Sequence, residues 1–144
     1  EEARDAGLTL AVATTTTPEN VTALLRHSLA EDGPDWFAVI AAGDIVPAKK
    51  PAPDIYVWAM EKLGLGADQC LAFEDSENGI LASRGAGLRT VVTVNDYTQE
   101  HDFTGALAVL SDLGEPGAPY RRLDTAGQGE TGLVDMARIR AWLD

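Results

Sequence analysis

Three short segments of the chain carry hydroxyl, amino or carboxyl groups directly after an apolar run. "TTTT" (14–17) follows "LAVA", "GDIVPAKKPAPD" (43–54) follows "VIAA", and "EDS" (74–76) follows "LAF". Each apolar run has the length of a buried strand, and each polar segment leads into a stretch with helical spacing. In an open α/β sheet the carboxyl ends of parallel strands meet at one edge, and ligands bind there. We therefore expect hydroxyls, a lysine pair and two carboxylates to converge on one site.

Together these groups favour a phosphate and a divalent cation. Hydroxyls and free N–H groups at the start of a helix bind phosphate, and an ammonium group at the same point neutralises part of its charge. Adjacent carboxylates favour Mg²⁺, which keeps several waters and needs only one or two protein acids. A phosphate and Mg²⁺ at one edge indicate phosphoryl transfer.

Each segment taken alone has a simpler interpretation. Thr17 can merely cap a helix, and Asp75 can cap the next one. Lys49 and Lys50 precede a proline and fit a solvated loop. All three segments nevertheless occur in chain order, each at its own strand end, and this combination favours a phosphoryl-transfer site.

Apolar, β-branched runs predict the strands that position this site, over 8–13, 37–42, 70–73 and 89–94, with a further strand over 106–110. The first four are apolar on both faces, as are strands of a parallel sheet that helices cover. Helical segments lie between them, so the order is βαβα. The predicted fold class is α/β, with a doubly wound, Rossmann-like parallel sheet.

Capping residues and helical spacing predict the helices. The first begins at Pro18 after a Thr17 cap, and Val21, Leu24 and Leu25 are predicted on its inner face. Further helices are predicted over 53–63 ahead of Gly64, from Ser76 to the glycines at 85–87, and over 133–143. We interpret 114–132 as a loop, because it is rich in glycine and proline.

Composition limits the classes of function. With 144 residues the chain fits a single domain, 1–144. A net charge of −12 argues against nucleic-acid and anionic-membrane partners, and no apolar run approaches the roughly 20 residues that span a bilayer. Cys70 is the only cysteine, which excludes an internal disulfide and indicates a reducing, cytoplasmic location.

The residues at the predicted edge resemble the haloacid dehalogenase superfamily of Mg²⁺-dependent phosphohydrolases, in its sugar-phosphatase and β-phosphoglucomutase branch. Thr14 matches the strand-end hydroxyl that binds the transferring phosphoryl group. Lys50, just before "PAPD", matches the lysine that steadies the phosphate and the charge of the nucleophile. Glu74 and Asp75 in "FEDSENG" match the acidic pair, and the resemblance implies that Asp75 binds Mg²⁺ directly while Glu74 acts mainly through its waters. The resemblance to this superfamily extends from about Leu8 to Leu113.

More narrowly, "AVATTTTPENV", "AAGDIVPAKKPAPDIY" and "TVVTVNDYT" are similar to the CbbY group, whose members are phosphatases of the Rubisco inhibitor xylulose-1,5-bisphosphate. This resemblance implies that a backbone N–H of Thr15 binds the phosphate. It also implies that Thr16 and Thr17 lie near the sugar or its second phosphate. Two alternatives stay open: a β-phosphoglucomutase-like mutase, and a non-catalytic phosphate-binding module.

The superfamily's first motif, "D-x-D-x-[TV]", is absent from these 144 residues, as is the helical cap that follows it. That motif supplies the aspartate nucleophile and the general acid/base. It ends a central strand between those predicted to end at Ala13 and Phe73, so each of these would have an unpaired edge. "EEARDAGL" (1–8) also reads as the end of a helix. We therefore expect the carboxy-terminal part of a longer phosphatase, inactive alone, with the amino-terminal segment as its partner.

Overall fold

Helices and parallel strands alternate along the chain in the computed structural model, which describes residues 1–144. The strands are β1 (Ala11–Thr14), β2 (Val39–Ala42), β3 (Leu71–Glu74), β4 (Arg89–Thr93), β5 (Ala108–Leu110), β6 (Tyr120–Arg121) and β7 (Thr131–Gly132). The helices are α1 (Glu2–Asp5), α2 (Pro18–Ser28), α3 (Asp54–Leu63), α4 (Glu77–Gly85) and α5 (Met136–Leu143). The predicted α/β class is confirmed. None of the helices is both long and apolar enough to cross a membrane.

The predicted helix ends are confirmed where capping residues mark them. Thr17 accepts a hydrogen bond from the backbone N–H of Asn20 at the start of α2. Ser76 accepts one from the N–H of Gly79 at the start of α4. Gly64 ends α3 with φ 69°, a left-handed conformation that glycine adopts without steric cost.

The five longer strands form two parallel sheets. β1 pairs with β2, so that Thr14 lies opposite Ala42. β3 pairs with β4, so that Glu74 lies opposite Val92, and β4 pairs in turn with β5. β1 and β3 do not pair with each other, and each has an unpaired edge, as the sequence predicts for a sheet without its central strand.

One apolar core holds the two sheets together. α3 packs on β1 and β2, α4 packs on β3 and β4, and the two helices contact each other. The core contains Ala41 of β2, Ile55 and Ala59 of α3, Ala72 of β3 and Ala82 of α4, all buried. Because both sheets lie on this one core, the carboxyl ends of β1 and β3 stay at one edge.

Two apolar side chains are less covered than the sequence predicts. Leu24 was expected on the inner face of α2, but it is 62% exposed, while Val21 on the same helix is buried. Phe73 of β3 is 42% exposed, although both faces of this strand were expected to be covered. For Phe73 the reason is that α3 and α4 pack on the face of β3 that bears Ala72, whereas Phe73 lies on the opposite face. Leu24 belongs to none of the apolar clusters of the core.

The interpretation of 114–132 as a loop needs correction. This segment contains β6 and β7, which pair in antiparallel fashion, and it buries Tyr120 completely against Val91, Ala108 and Leu110. Strands of two residues are too short to show a period of two, which is why the pattern missed them. The closing helix is also shorter than predicted, because Asp135 caps it by accepting from the N–H of Arg138.

A polar network fastens this carboxy-terminal segment to β5. Arg122 donates to Asp124 at 2.8 Å, to Glu130 at 2.9 Å and to the carbonyl of Leu107 at 3.2 Å. The hydroxyl of Tyr120 donates to Glu130 at 3.0 Å. The hydrogen bond from Arg122 lowers the pKa of Glu130 below its ordinary value of 4.5, and the hydrogen bond from Tyr120 lowers it further.

We predict that this network weakens on acidification. A carboxylate with a lowered pKa stabilises the fold above its unfolded pKa, and this contribution is lost as the pH falls through the folded value. The free energy of unfolding of Glu130→Gln should therefore fall less steeply between neutral pH and the acid range than that of the wild type. Urea unfolding at a series of pH values measures this, with Glu115→Gln at an exposed position as the control. Identical slopes for wild type and Glu130→Gln would contradict the prediction.

Candidate active site

The predicted site residues lie at the carboxyl ends of β1 and β3. Thr14 is the last residue of β1, Glu74 is the last residue of β3, and Asp75 follows it directly. Lys50 lies in the segment between β2 and α3, and its side chain reaches the same edge. The structure thus brings together the hydroxyl, the ammonium and the acidic pair that the sequence predicts.

Lys50 spans the two sheets. Its Nζ donates to the carbonyl of Ala13 in β1 at 3.0 Å and to Oε1 of Glu74 in β3 at 2.5 Å. The two side chains are only 13% and 8% exposed. An ammonium group has three donors, so two of the three are engaged here and one remains for a ligand.

Glu74 is held from three directions. Besides the ammonium of Lys50, its Oε1 accepts from the hydroxyl of Tyr56, and its carboxylate occupies the space where a side chain at Gly79 would begin. Any larger residue at position 79 would collide with this carboxylate, which explains a glycine inside the first turn of α4. Glu74 is therefore a fixed, paired charge and has little freedom to move toward a ligand.

Tyr56 acts as a neutral donor to this carboxylate. It lies on the inner face of α3, is 9% exposed, and has the ammonium of Lys50 5.0 Å from its ring centroid. Burial raises the pKa of Tyr56 far above its usual range, and the negative charge of Glu74 raises it further. The phenol thus keeps its proton at any physiological pH and continues to donate.

In the threonine run (14–17) some polar groups are hydrogen-bonded within the protein and others are free. Oγ1 of Thr14 accepts from the N–H of Thr16 at 3.2 Å, and Thr17 caps α2. The backbone N–H of Thr15 and the hydroxyl of Thr16 make no hydrogen bond, and both residues are exposed. These two groups, next to the positive end of α2, are available to an anion.

Asp75 differs from its neighbour Glu74 by its exposure. Its Oδ2 accepts from Nδ2 of Asn95 at 3.3 Å, and its Oδ1 has no partner. The structure contains no cluster of three or more histidine, cysteine or acidic side chains that could hold a metal ion. Mg²⁺ binds through one or two carboxylates and keeps several waters, so the exposed Asp75 carboxylate fits this cation. Glu74 fits it only through water, because Lys50 and Tyr56 occupy its Oε1 and its Oε2 lies against Gly79.

Two residues of this edge were given no role in the sequence analysis. Tyr56 is part of the "PAPDIY" segment, and only the fold shows that its hydroxyl reaches Glu74. Asn95 follows β4, and the rule that ligands bind beyond the carboxyl ends of strands was a signal for it. Both residues are separated in sequence from the acids that they contact.

Comparison with known proteins identifies the family. A model of the haloacid dehalogenase-like hydrolase family matches residues 1–87. The chain belongs to this family, and the family predicted from its motifs is confirmed.

The chain is similar to proteins named CbbY. It is 47% identical to the plasmid CbbY protein of Cupriavidus necator over 141 residues, which make up 98% of this chain and 55% of that protein. It is 50% identical to CbbY of Rhodobacter capsulatus over 113 residues, 78% of this chain and 50% of that protein. The chain thus spans about half the length of these curated relatives.

Solved structures agree with this relationship. A variant of CbbY from Rhodobacter sphaeroides in complex with xylulose-1,5-bisphosphate superimposes with a TM-score of 0.72 and 46% identity, over 77% of this chain and 49% of that one. A β-phosphoglucomutase-like protein from Thermotoga maritima gives a TM-score of 0.63 and 29% identity, over 74% of this chain and 50% of that one. The predicted Rossmann-like fold and the CbbY-like branch are thereby confirmed.

We predict that the phenol of Tyr56 stabilises the folded site through Glu74. Tyr56→Phe removes a donor from a nearly buried carboxylate, so the free energy of unfolding should fall by about 1–3 kcal/mol. Tyr97→Phe is the matched control because Tyr97 is 93% exposed, and it should change stability by no more than about 0.5 kcal/mol. Urea unfolding of the two variants measures both values. Equal stability of Tyr56→Phe and wild type would show that the contact with Glu74 contributes nothing.

Proposed function

We propose that this chain contributes the phosphate- and Mg²⁺-binding edge of a phosphatase that acts on a phosphorylated sugar. The observation that carries the proposal is the placement of Lys50, which contacts the ends of both sheets beside Thr14 and Asp75. Xylulose-1,5-bisphosphate is the substrate we propose, because the CbbY structure bound to this sugar bisphosphate is 46% identical to the chain.

In this proposal Lys50 and the threonine run bind the phosphoryl group. The free donor of Lys50 places positive charge next to the transferring oxygens, where charge develops in the transition state. The hydroxyl of Thr14 and the free N–H of Thr15 add donors at the end of β1. The exposed hydroxyl of Thr16 is available to the sugar or to its second phosphate.

Asp75 and Glu74 have different proposed roles toward Mg²⁺. Asp75 would bind the ion directly through its free oxygen, and Glu74 would orient waters of the ion from its fixed position. When bound, Mg²⁺ neutralises charge on the phosphoryl oxygens. Lys50 holds Glu74 in place and neutralises its negative charge, so that the two acids do not both repel the substrate.

The nucleophile of the proposed reaction is an aspartate of the whole protein that is not among these 144 residues. Its carboxylate would take the phosphoryl group while the general acid of the same motif protonates the leaving sugar oxygen, and the resulting base would then take a proton from the water that hydrolyses the aspartyl-phosphate to release phosphate. The unpaired edges of β1 and β3 support a strand of the same protein between them, because each edge presents backbone N–H and C=O groups that a further strand can pair with. The length of the relatives, about twice that of the chain, also supports such a segment.

We predict that Asp75→Asn abolishes Mg²⁺-dependent phosphate release from xylulose-1,5-bisphosphate by the whole protein. The amide keeps the shape of the side chain but removes the charge that a hard cation requires. Asp96→Asn is the matched control, because Asp96 is an exposed acid of the neighbouring loop with no hydrogen bond to the site. A steady-state phosphate assay at saturating Mg²⁺ measures both variants.

Residual activity of Asp75→Asn would contradict the proposed role of Asp75. If Asp75→Asn retains about a tenth of the wild-type rate, the loss is only about 1.4 kcal/mol of transition-state stabilisation, too little for a direct metal ligand. If Asp96→Asn loses as much activity as Asp75→Asn, the effect is a general one of charge at this edge and not of metal binding.

A further inference from the structure

The turn that follows β4 has a defined hydrogen-bonding pattern. The N–H of Asn95 donates to Oγ1 of Thr98 at 3.0 Å, and the N–H of Thr98 donates to the carbonyl of Asn95 at 3.1 Å. The side-chain Oδ1 of Asn95 accepts from the N–H of Tyr97 at 2.8 Å. Thr98 is only 6% exposed, so the turn is anchored in the body of the protein although Asn95 lies at its surface.

This pattern fixes the direction of the Asn95 carboxamide. Because Oδ1 faces a backbone donor, the amide nitrogen must point the other way. It points to Oδ2 of Asp75, at 3.3 Å. The parallel register, with Glu74 opposite Val92, places the residues after β3 and the residues after β4 at the same edge.

Asp75 has no other side chain to hold it. It is exposed, and its one side-chain hydrogen bond is the bond from Asn95. An aspartate in this situation would otherwise sample several rotamers. A donor on Oδ2 selects the one in which Oδ1 remains free at the edge of the sheet.

We propose that Asn95 is a positioning residue that orients the Asp75 carboxylate for a divalent cation. This inference rests on the proposed function, because it assigns a cation to Asp75. Groups that orient a metal ligand typically change metal affinity 10- to 100-fold when they are removed. The bond is exposed here, so the lower end of that range, about tenfold, is the expected effect.

The test measures binding of Mn²⁺, a probe for the Mg²⁺ site, to the whole protein by electron paramagnetic resonance of the free ion, without substrate. Asn95→Ala should weaken binding about tenfold, and it should have no further effect in an Asp75→Asn background. Asn95→Ser should weaken binding to the same extent, because a serine hydroxyl can still accept from Tyr97 in the turn but is too short to reach Asp75.

Thr98→Val is the control for a purely structural role. It removes the acceptor that closes the turn but keeps the shape of Thr98 and the carboxamide of Asn95. It should bind Mn²⁺ nearly as tightly as the wild type. Equal weakening in Thr98→Val and Asn95→Ala would mean that only the turn matters, and this would overturn the proposal.

Two further outcomes overturn the inference, and one separates it from the proposed function. Unchanged Mn²⁺ binding in Asn95→Ala refutes the positioning role, as does Mn²⁺ binding by the wild type that does not depend on Asp75. If binding is sensitive to Asn95 and Asp75 but the wild type releases no phosphate from any sugar phosphate, the positioning role stands and the proposed phosphatase function fails.

Discussion

The ion pair between Lys50 and Glu74 is the interaction on which the arrangement of this edge depends. It joins β1 and β3, which share no backbone hydrogen bonds, through the carbonyl of Ala13 and the carboxylate of Glu74. Charges buried to this degree are stable only when paired and hydrogen-bonded, and removing one partner costs about 3–5 kcal/mol. The donor from Tyr56 and the space at Gly79 complete the surroundings of the pair.

The same pairing divides the work between two adjacent acids. Glu74 is enclosed and its charge is balanced, so it acts as a fixed part of the protein. Asp75 is exposed and keeps one oxygen free, so it is the acid that can take a ligand. Lys50 is itself held by protein groups at two of its donors, so its third donor has a fixed position and remains free. An edge organised in this way would need little rearrangement to bind the anion and the cation that we propose for it.

Local chemistry determines the parts of the fold that the sequence predicts well. Thr17, Ser76 and Gly64 mark helix ends through interactions with residues a few positions away, which a sequence pattern contains. The strand ends follow from apolar runs, and they place the acids, the lysine and the threonines at one edge. The exposure of Leu24 and the burial of Tyr120 depend instead on which segments pack together across the fold. The contacts of Tyr56 with Glu74 and of Asn95 with Asp75 are of this second kind.

The central claim, that Lys50 and Glu74 act as one unit, is tested most directly by a double-mutant cycle on the free energy of unfolding. Lys50→Met and Glu74→Gln are measured singly and together in the whole protein, with the same cycle on the exposed pair of Lys49 and Asp44, 2.8 Å apart, as the reference. We predict a coupling of about 1–3 kcal/mol between Lys50 and Glu74 and a clearly smaller one for the exposed pair. A Lys50–Glu74 coupling no larger than that of the exposed pair would contradict the account.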